Sequence, residues 1–332
     1  MRARTVLCSL ALLALGLGRA EAEPLQVRVA WVAPLTDWAS VWLEKKDLAA
    51  HYGKSYLFEA VHYAGTPPMV TAMANNELEI GSLAYSTLPI SIVNAGMDDM
   101  RVLADVFRDG VAGYYSNEFD VRADGPIKTV EDLKGKVLAI NAQGSAVDVG
   151  LKAMLHKHGL EPNRDYTVVE APFPAMRAML AEKKVDLISA VRPFSLDPEL
   201  KKIARTLFTS RDAVGLSQYL VWNARKPFID RNRAALVDLL EDSVRIVHWY
   251  LDPKNHDAAA EIAGRVTKQP ADRFGWLFGT DDYYHDPDMM PKLDVLQKNV
   301  DLTHELGFAQ ASFDVKSHSD LSLLEEALKR LK

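Results

Sequence analysis

The sequence predicts an α/β protein of two lobes, each a mostly parallel sheet flanked by helices, with a helical C-terminal region packed on the first lobe. Three observations lead there. One order of strand and helix patterns occurs twice, at an offset of about 107 residues read from Glu79 to Asp186. Both copies alternate strands with helices, which favours parallel pairing through right-handed crossovers. Beyond the second copy a single further strand is followed by a long helical tail, so the chain has to return to the lobe it left.

The first copy opens with the run Gln26 to Trp31, whose alternation reads as a strand. A polar loop through Pro34, Thr36 and Asp37 leads into a helical pattern from Ala39 to His51, stopped at Gly53. A second strand spans Tyr56 to His62. The Gly65-Thr66-Pro67-Pro68 turn then starts a helix through Met69, Val70, Met73 and Ala74, and a short strand follows at Leu78 to Leu83.

In the second copy the strand is Lys136 to Ile140, the loop Asn141 to Gly144, and the helix Ser145 to His158, stopped at Gly159. Strand Tyr166 to Glu170, helix Ala175 to Glu182 and strand Val185 to Ala190 complete the unit. Gln218 to Trp222 reads as the return strand, and an amphipathic helix runs from Asn232 to Leu251. Two crossings between lobes are therefore expected, near Ala104 to Gly113 and near Thr209 to Tyr219. The expected division is a leader over 1–22, a discontinuous first lobe over 23–107 and 220–332, and a second lobe over 108–219 that includes the hinge crossings.

The N-terminus has the build of a cleaved secretory signal: Arg2 and Arg4, the apolar run Val6 to Leu17, and the small-residue site Ala20-Glu21-Ala22. Its apolar run is too short for a lasting membrane anchor, so export to the periplasm with cleavage after Ala22 is expected. Cys8, the one cysteine, would leave with it, excluding disulfides and thiolate chemistry from the mature chain. Removing three arginines and one glutamate shifts the formal charge from −6 to −8, which argues against a nucleic-acid partner.

The phosphate-cradling, dinucleotide, nucleophile-elbow and zinc-protease motifs do not occur in the sequence. Neither an enzymatic role nor a cofactor is expected. Asp281, Asp282, His285 and Asp286 form the closest metal-like constellation, and it reads better as a polar helix-to-loop segment; His156 and His158, two apart on a helix, face different ways.

Ligands of such sheets collect beyond the carboxyl ends of the strands, at helix N-termini. Gly144, Ser145 and Ala146 open the second-lobe helix, where unpaired N–H groups and the helix dipole suit an oxygen anion; the alternative is a plain capped start with Ser145 as the cap. Arg192 follows the buried-looking strand Leu187 to Val191 and offers paired donors to a carboxylate or sulfonate. Its alternative is a salt bridge, for example with Asp197. The same offset pairs Trp38 with Ser145 and Tyr85 with Arg192. With Phe194 these aromatics could sandwich a flat or apolar ligand body, and Thr66, Ser82, Tyr85 and Ser86 supply hydroxyls. Each aromatic also suits ordinary core filling.

Several short strings together resemble the periplasmic solute-binding proteins of the nitrate, sulfonate and taurine importer group, over essentially the whole mature chain. They are Trp31-Val32-Ala33-Pro34, Gly65-Thr66-Pro67-Pro68, Glu79-Ile80-Gly81-Ser82, Thr129 through Lys136, and Gly144-Ser145. The string Asp132-Leu133-Lys134-Gly135-Lys136 is the most specific of them. Arg192 departs from the group, standing where similar proteins often carry an acidic or neutral residue. The resemblance implies the type II periplasmic binding fold and a monomeric receptor that captures a small anionic ligand. It would serve the membrane permease and ATPase of an ABC importer. The expected ligand is a sulfonate or carboxylate with an organic, aromatic-compatible body. Two alternatives share the fold: a thiamine-pyrimidine-precursor-type binding protein or enzyme, and a sensory binding subunit.

Overall fold

The computed structural model describes residues 23–332, so the leader, its cleavage site and Cys8 lie outside the described residues. Two five-strand arrays of the same order face each other. In the first, β1 (Leu25–Trp31) pairs in parallel with β2 (Tyr56–His62), Val27 opposite Phe58 and Trp31 opposite His62. Beside β1 lies β3 (Gly81–Ala84), joined to it through a bridge between Val29 and Ile80. Next comes β10 (Ser217–Arg225), antiparallel to β3 on one side and to β4 (Met100–Asp109) on the other. In the second array the order is β7 (Thr167–Glu170), β6 (Val137–Ile140), β8 (Leu187–Ala190), β5 (Glu118–Arg122), β9 (Ala204–Thr209). Strands β7, β6 and β8 are parallel and β5 alone runs against its neighbours.

The repeat seen in the sequence is thus a repeat of topology. In each array the fourth strand is the first one laid down after a crossing: β5 arrives from lobe one through residues 110–117, and β10 returns through residues 210–216.

The helices follow local rules. Helix α1 (Pro67–Ala74) starts on two prolines, which need no N–H partner in a first turn. A short turn of helix α2 (Thr87–Pro89) follows β3. Helix α3 (Ala146–Lys157) is capped by Ser145, whose Oγ accepts from Asp148 N, and ends before Gly159 at φ 73°. Helix α4 (Phe173–Ala181) covers β8, and α5 (Pro198–Ile203) is capped by Asp197. A reciprocal capping box between Thr209 and Asp212 opens α6 (Ser210–Val214) in the return crossing.

Helix α7 (Lys226–Leu251) buries Leu236, Leu240, Val244 and Val247 at helical spacing against lobe one. It reaches six residues further upstream than the Asn232 start read from the pattern, with a non-helical φ of −124° at Asn232 itself. Helices α8 (His256–Thr267), α9 (Leu293–Glu305) and α10 (Ser322–Arg330) complete the layer.

Several elements depart from the expectation. Two strands, β9 and β10, follow the second copy where one was expected, and β4 and β5 were not foreseen because they lie outside the repeated unit. The pattern from Ala39 to His51 forms two 3-10 pieces, Trp38–Ser40 and Trp42–Leu48, broken at Val41 with φ −123°. The break lets Trp38 and Trp42 both bury, Trp42 stacking on Phe58 at 4.4 Å and donating to Ser243. The tail is not wholly helical either, because residues 268–292 hold only a 3-10 turn (Ala271–Phe274) and form a strap that reaches lobe two.

Lobe one keeps one large core, while the lobe-two sheet buries both faces: Phe119, Leu138 and Leu151 on one side, Ala139, Leu180 and Ile188 on the other. Burial on both faces is what near-continuous apolar runs such as Leu187–Ala190 require.

Candidate ligand-binding site

The carboxyl ends of β1, β3, β6 and β8 meet across the cleft, and the lobes touch there. Ser86 Oγ donates to Gly144 O at 2.9 Å, Thr87 Oγ1 reaches the same carbonyl at 3.5 Å, and Tyr85 OH reaches Ala146 O at 3.5 Å. Asn141 Nδ2 donates to Ala64 O at 3.2 Å. A Cβ on Gly65 would lie 2.8 Å from Ala142 Cβ, so only glycine lets the two backbones come this close.

Behind these contacts is a cavity of about 50 Å³. Thr36, Thr66, Ala84 and Phe107 line it from lobe one, Asn141, Ser145, Ala146, Val147 and Val191 from lobe two. The first crossing contributes Asn117, the start of β10 contributes Tyr219, and the strap contributes Tyr283. Among the side-chain atoms of these lining residues, two are buried with no hydrogen-bond partner: Asn117 Nδ2 and Tyr219 OH. The Asn117 amide faces the Tyr219 oxygen closely enough to favour the phenolate slightly, in a geometry too poor to count as a full hydrogen bond for either group. Burial raises the Tyr219 pKa well above its ordinary value, so the phenol keeps its proton and remains a donor. The N–H groups of Ala146 and Val147, in the first turn of α3, have no intrahelical carbonyl to bond. Four donors and the positive end of a helix dipole therefore border a space whose other walls mix apolar side chains with Thr36, Thr66, Asn141 and Ser145.

Phe173, at the start of α4, separates this cavity from an outer one of about 340 Å³. Trp31, Pro34 and His62 form its lobe-one wall and Pro193 and Phe194 its lobe-two wall, with Val266, Thr267 and Gln269 beside them. Its character is aromatic: Trp31 and His62 lie 4.3 Å apart, and Phe173 stacks on Phe194 at 5.9 Å.

The residues singled out in the sequence distribute over this site unevenly. Thr66, Ser145 and Ala146 line the inner cavity and Phe194 the outer one. Tyr85, Ser86 and Gly144 are placed between the lobes, Ser86 donating to the Gly144 carbonyl and Tyr85 reaching that of Ala146. Ser82 is fully buried in β3. Trp38 packs in lobe one on Phe278 at 5.3 Å, away from either cavity, because burying an indole in the core outweighs presenting it to the cleft.

Arg192 turns away as well. Its guanidinium lies 3.5 Å over the Tyr115 ring, with Nε donating to Asp281 O at 2.8 Å and Nη1 to Ser195. The partner foreseen for it, Asp197, bonds Arg177 instead. Asp281, Asp282, His285 and Asp286 do not gather at one point, although His285 Nε2 lies 3.9 Å from Asp282 Oδ2. Asp282 accepts from Phe278 N and Tyr283 N, Asp286 pairs with Arg108 at 3.0 Å, and Asp281 is exposed.

The three residues that matter most here, Asn117, Tyr219 and Tyr283, escaped the sequence reading. Asn117 is in the first crossing, Tyr219 on β10 just after the second, and Tyr283 in the strap, all outside the repeat that pointed to the others. The crossings themselves were the available signal, since whatever joins two lobes runs past the cleft.

Known proteins share this architecture. The model of the NMT1-like family matches residues 20–264. The nitrate/nitrite binding protein NrtA of Synechococcus elongatus is 26% identical over 242 residues, 69% of this chain and 53% of that one. The chain thus spans about half the length of that relative. Among solved structures, the periplasmic nitrate-binding protein NrtA from Synechocystis PCC 6803 superposes with a TM-score of 0.72 at 16% identity, covering 93% of this chain and 90% of that one. The alkanesulfonate-binding protein SsuA from Xanthomonas axonopodis pv. citri, bound to MOPS, gives 0.70 at 16% identity over 90% and 99%. The desulfurization enzyme DSZB gives 0.66 at 14% identity over 93% and 100%, so the same fold also carries catalysis.

Proposed function

The chain belongs to the NMT1-like family, and from that premise we propose that it is an exported solute-binding receptor that closes two lobes on a small organic anion and passes it, chemically unchanged, to an ABC permease. One observation carries the proposal: Asn117 Nδ2, Tyr219 OH and the first N–H groups of α3 surround one inter-lobe cavity as donors without acceptors. A buried donor left unpaired costs about 1–3 kcal/mol, and a carboxylate or sulfonate oxygen removes that cost.

The inner cavity has room for a head group of a few atoms, so an organic body has to extend past Phe173 into the aromatic outer cavity. This favours an organic acid over bare nitrate. Support for a receptor rather than an enzyme comes from Ser145, the wall hydroxyl at the helix N-terminus. It is bonded to Asn141 Oδ1 and Asp148 N, and so is held as a helix cap.

Thermal-shift measurements with alkane and aryl sulfonates and carboxylates test the reading, because a ligand that binds only the native state raises Tm. At least one of these acids is expected to do so. Asn117→Ala and Tyr219→Phe should each weaken its binding by roughly tenfold, the loss of one buried hydrogen bond. If none of the acids stabilised the protein while uncharged apolar compounds did, the anion assignment would be wrong.

A further inference from the structure

An asparagine side chain can present either its carbonyl or its amide to a ligand, and the two ends are nearly the same shape. Which end Asn117 presents is decided by its neighbour. Tyr283, on the strap, lies within hydrogen-bond reach of two groups: the main-chain N–H of Arg192, at 3.3 Å, and Asn117 Oδ1. The N–H of Arg192 can only donate, so the Tyr283 oxygen accepts from it. A phenol has one proton, and that proton then points to Asn117 Oδ1. Burial holds the Tyr283 pKa far above neutrality, so the proton is not lost.

We infer that Tyr283 sets the polarity of the ligand site: it accepts from a main-chain N–H and donates to Asn117 Oδ1, which fixes the Asn117 amide with its donor end free for the ligand. The inference rests on the anion-receptor reading and adds to it a residue that touches the determinant and decides what the determinant reads. With the donor end presented, the site pairs with a ligand oxygen that carries no hydrogen. An isosteric group whose corresponding atom bears hydrogen meets donor against donor and is rejected. Because the donor that orients Tyr283 belongs to the backbone, the polarity does not depend on the nature of the Arg192 side chain.

The remaining partners of the network hold the geometry in place. Tyr115 OH donates to Ala190 O at 2.8 Å, at the end of the strand that leads to Arg192. Tyr115 N donates to Asp282 O at 3.0 Å, and Asp282 Oδ1 accepts from Tyr283 N at 2.7 Å. The phenol is therefore seated by the strap and the crossing together.

The test uses matched probes of one shape, benzenesulfonate with benzenesulfonamide and benzoate with benzamide, titrated calorimetrically into the parent, Tyr283→Phe and Asn117→Asp proteins. The parent is expected to prefer the anion of a pair by roughly a hundredfold, since a buried donor facing a donor is left unpaired. Tyr283→Phe keeps the ring and removes the proton that holds Oδ1, so the amide turns freely. Its preference should shrink to about tenfold or less, chiefly by gain of the amide probe. Asn117→Asp, which places an acceptor toward the ligand whether or not Tyr283 is altered, should lose the anion and keep the amide.

A Tyr283→Phe protein that melts cooperatively and keeps the parent's anion-to-amide ratio overturns the positioning role while leaving the anion reading intact. The positioning role fails equally if Asn117→Asp binds the anion as well as the parent does. A parent that prefers the amides, or binds neither member of either pair, overturns the anion reading and this inference with it.

Discussion

Arg192 illustrates how a residue's type can be read correctly and its partner missed. The sequence placed it at the carboxyl edge of a buried strand, and it is there, yet its guanidinium is covered by Tyr115 and bonded to the strap at Asp281 O. In this arrangement it fastens lobe two to the strap. Arg192→Ala should therefore cost about 1–3 kcal/mol of stability through lost cation–π and hydrogen-bond contacts, lowering Tm by a few degrees for a chain of this size. Lysine cannot stack and bond in the same plane, so Arg192→Lys should recover little of it. Calorimetric melting of both variants decides the matter, and an unchanged Tm in the alanine variant would return Arg192 to the role of a ligand contact. The donors Asn117, Tyr219 and Tyr283 were illegible for a different reason: they come from three distant segments, and each is an ordinary polar residue until the chain brings them together.

Periodicity served well for the strands and for the helices with clear caps. The run Tyr56 to His62 is β2 without adjustment, and α3 lies within one residue of its expected ends, because Ser145 and Gly159 punctuate it locally. The segment after Trp38 misled, since its apolar spacing is helical but both tryptophans are claimed by packing, and tertiary contacts override weak local preference. The turn before α1 shows the reverse, a local choice with a distant consequence. Gly65 was read as a turn residue, whereas the structure sets it against Ala142 and Asn141 of the other lobe. Gly65→Ala should fold normally, its backbone needing no left-handed conformation, but its Cβ obstructs the approach of the lobes. Scattering should show a larger radius of gyration than the parent under saturating ligand, with affinity lowered by about tenfold or more, since closure then costs part of the binding energy. A variant that compacts like the parent would show that the cleft tolerates the methyl group.

At the scale of the molecule, an interior rich in buried carboxyl groups couples stability to pH. Burial raises Asp37, Asp105 and Asp282 to about 7 and Asp109 to about 6, against 3.8 for an exposed aspartate. The folded protein holds these protons from pH 4 up to about 6 for Asp109 and about 7 for the other three, while the unfolded chain has released them. The stability they contribute is therefore complete below about pH 4 and is lost as pH rises through 6 to 7. His285 acts oppositely: burial lowers it from 6.5 to about 4, so its contribution is present above 6.5 and lost as pH falls through 4. Glu118 at about 7 and Asp120 at about 6 add to the four aspartates, and these six carboxyl groups against one imidazole predict a Tm that declines between pH 5.5 and 8. Asp282→Asn should flatten that decline. A Tm that rose over the same interval would show these carboxyl groups to be ionised in the native state.

The strand order carries one more consequence, for the sequence in which the molecule becomes available to itself. In lobe one β10 lies between β3 and β4, which make no ladder with each other. All five strands of lobe two, residues 118–209, precede β10 in the chain. As the polypeptide is made from its N-terminus, the lobe that begins second is the first to have every strand it needs. The lobe that begins first waits, holding β3 and β4 unjoined, until residues 217–225 have been added.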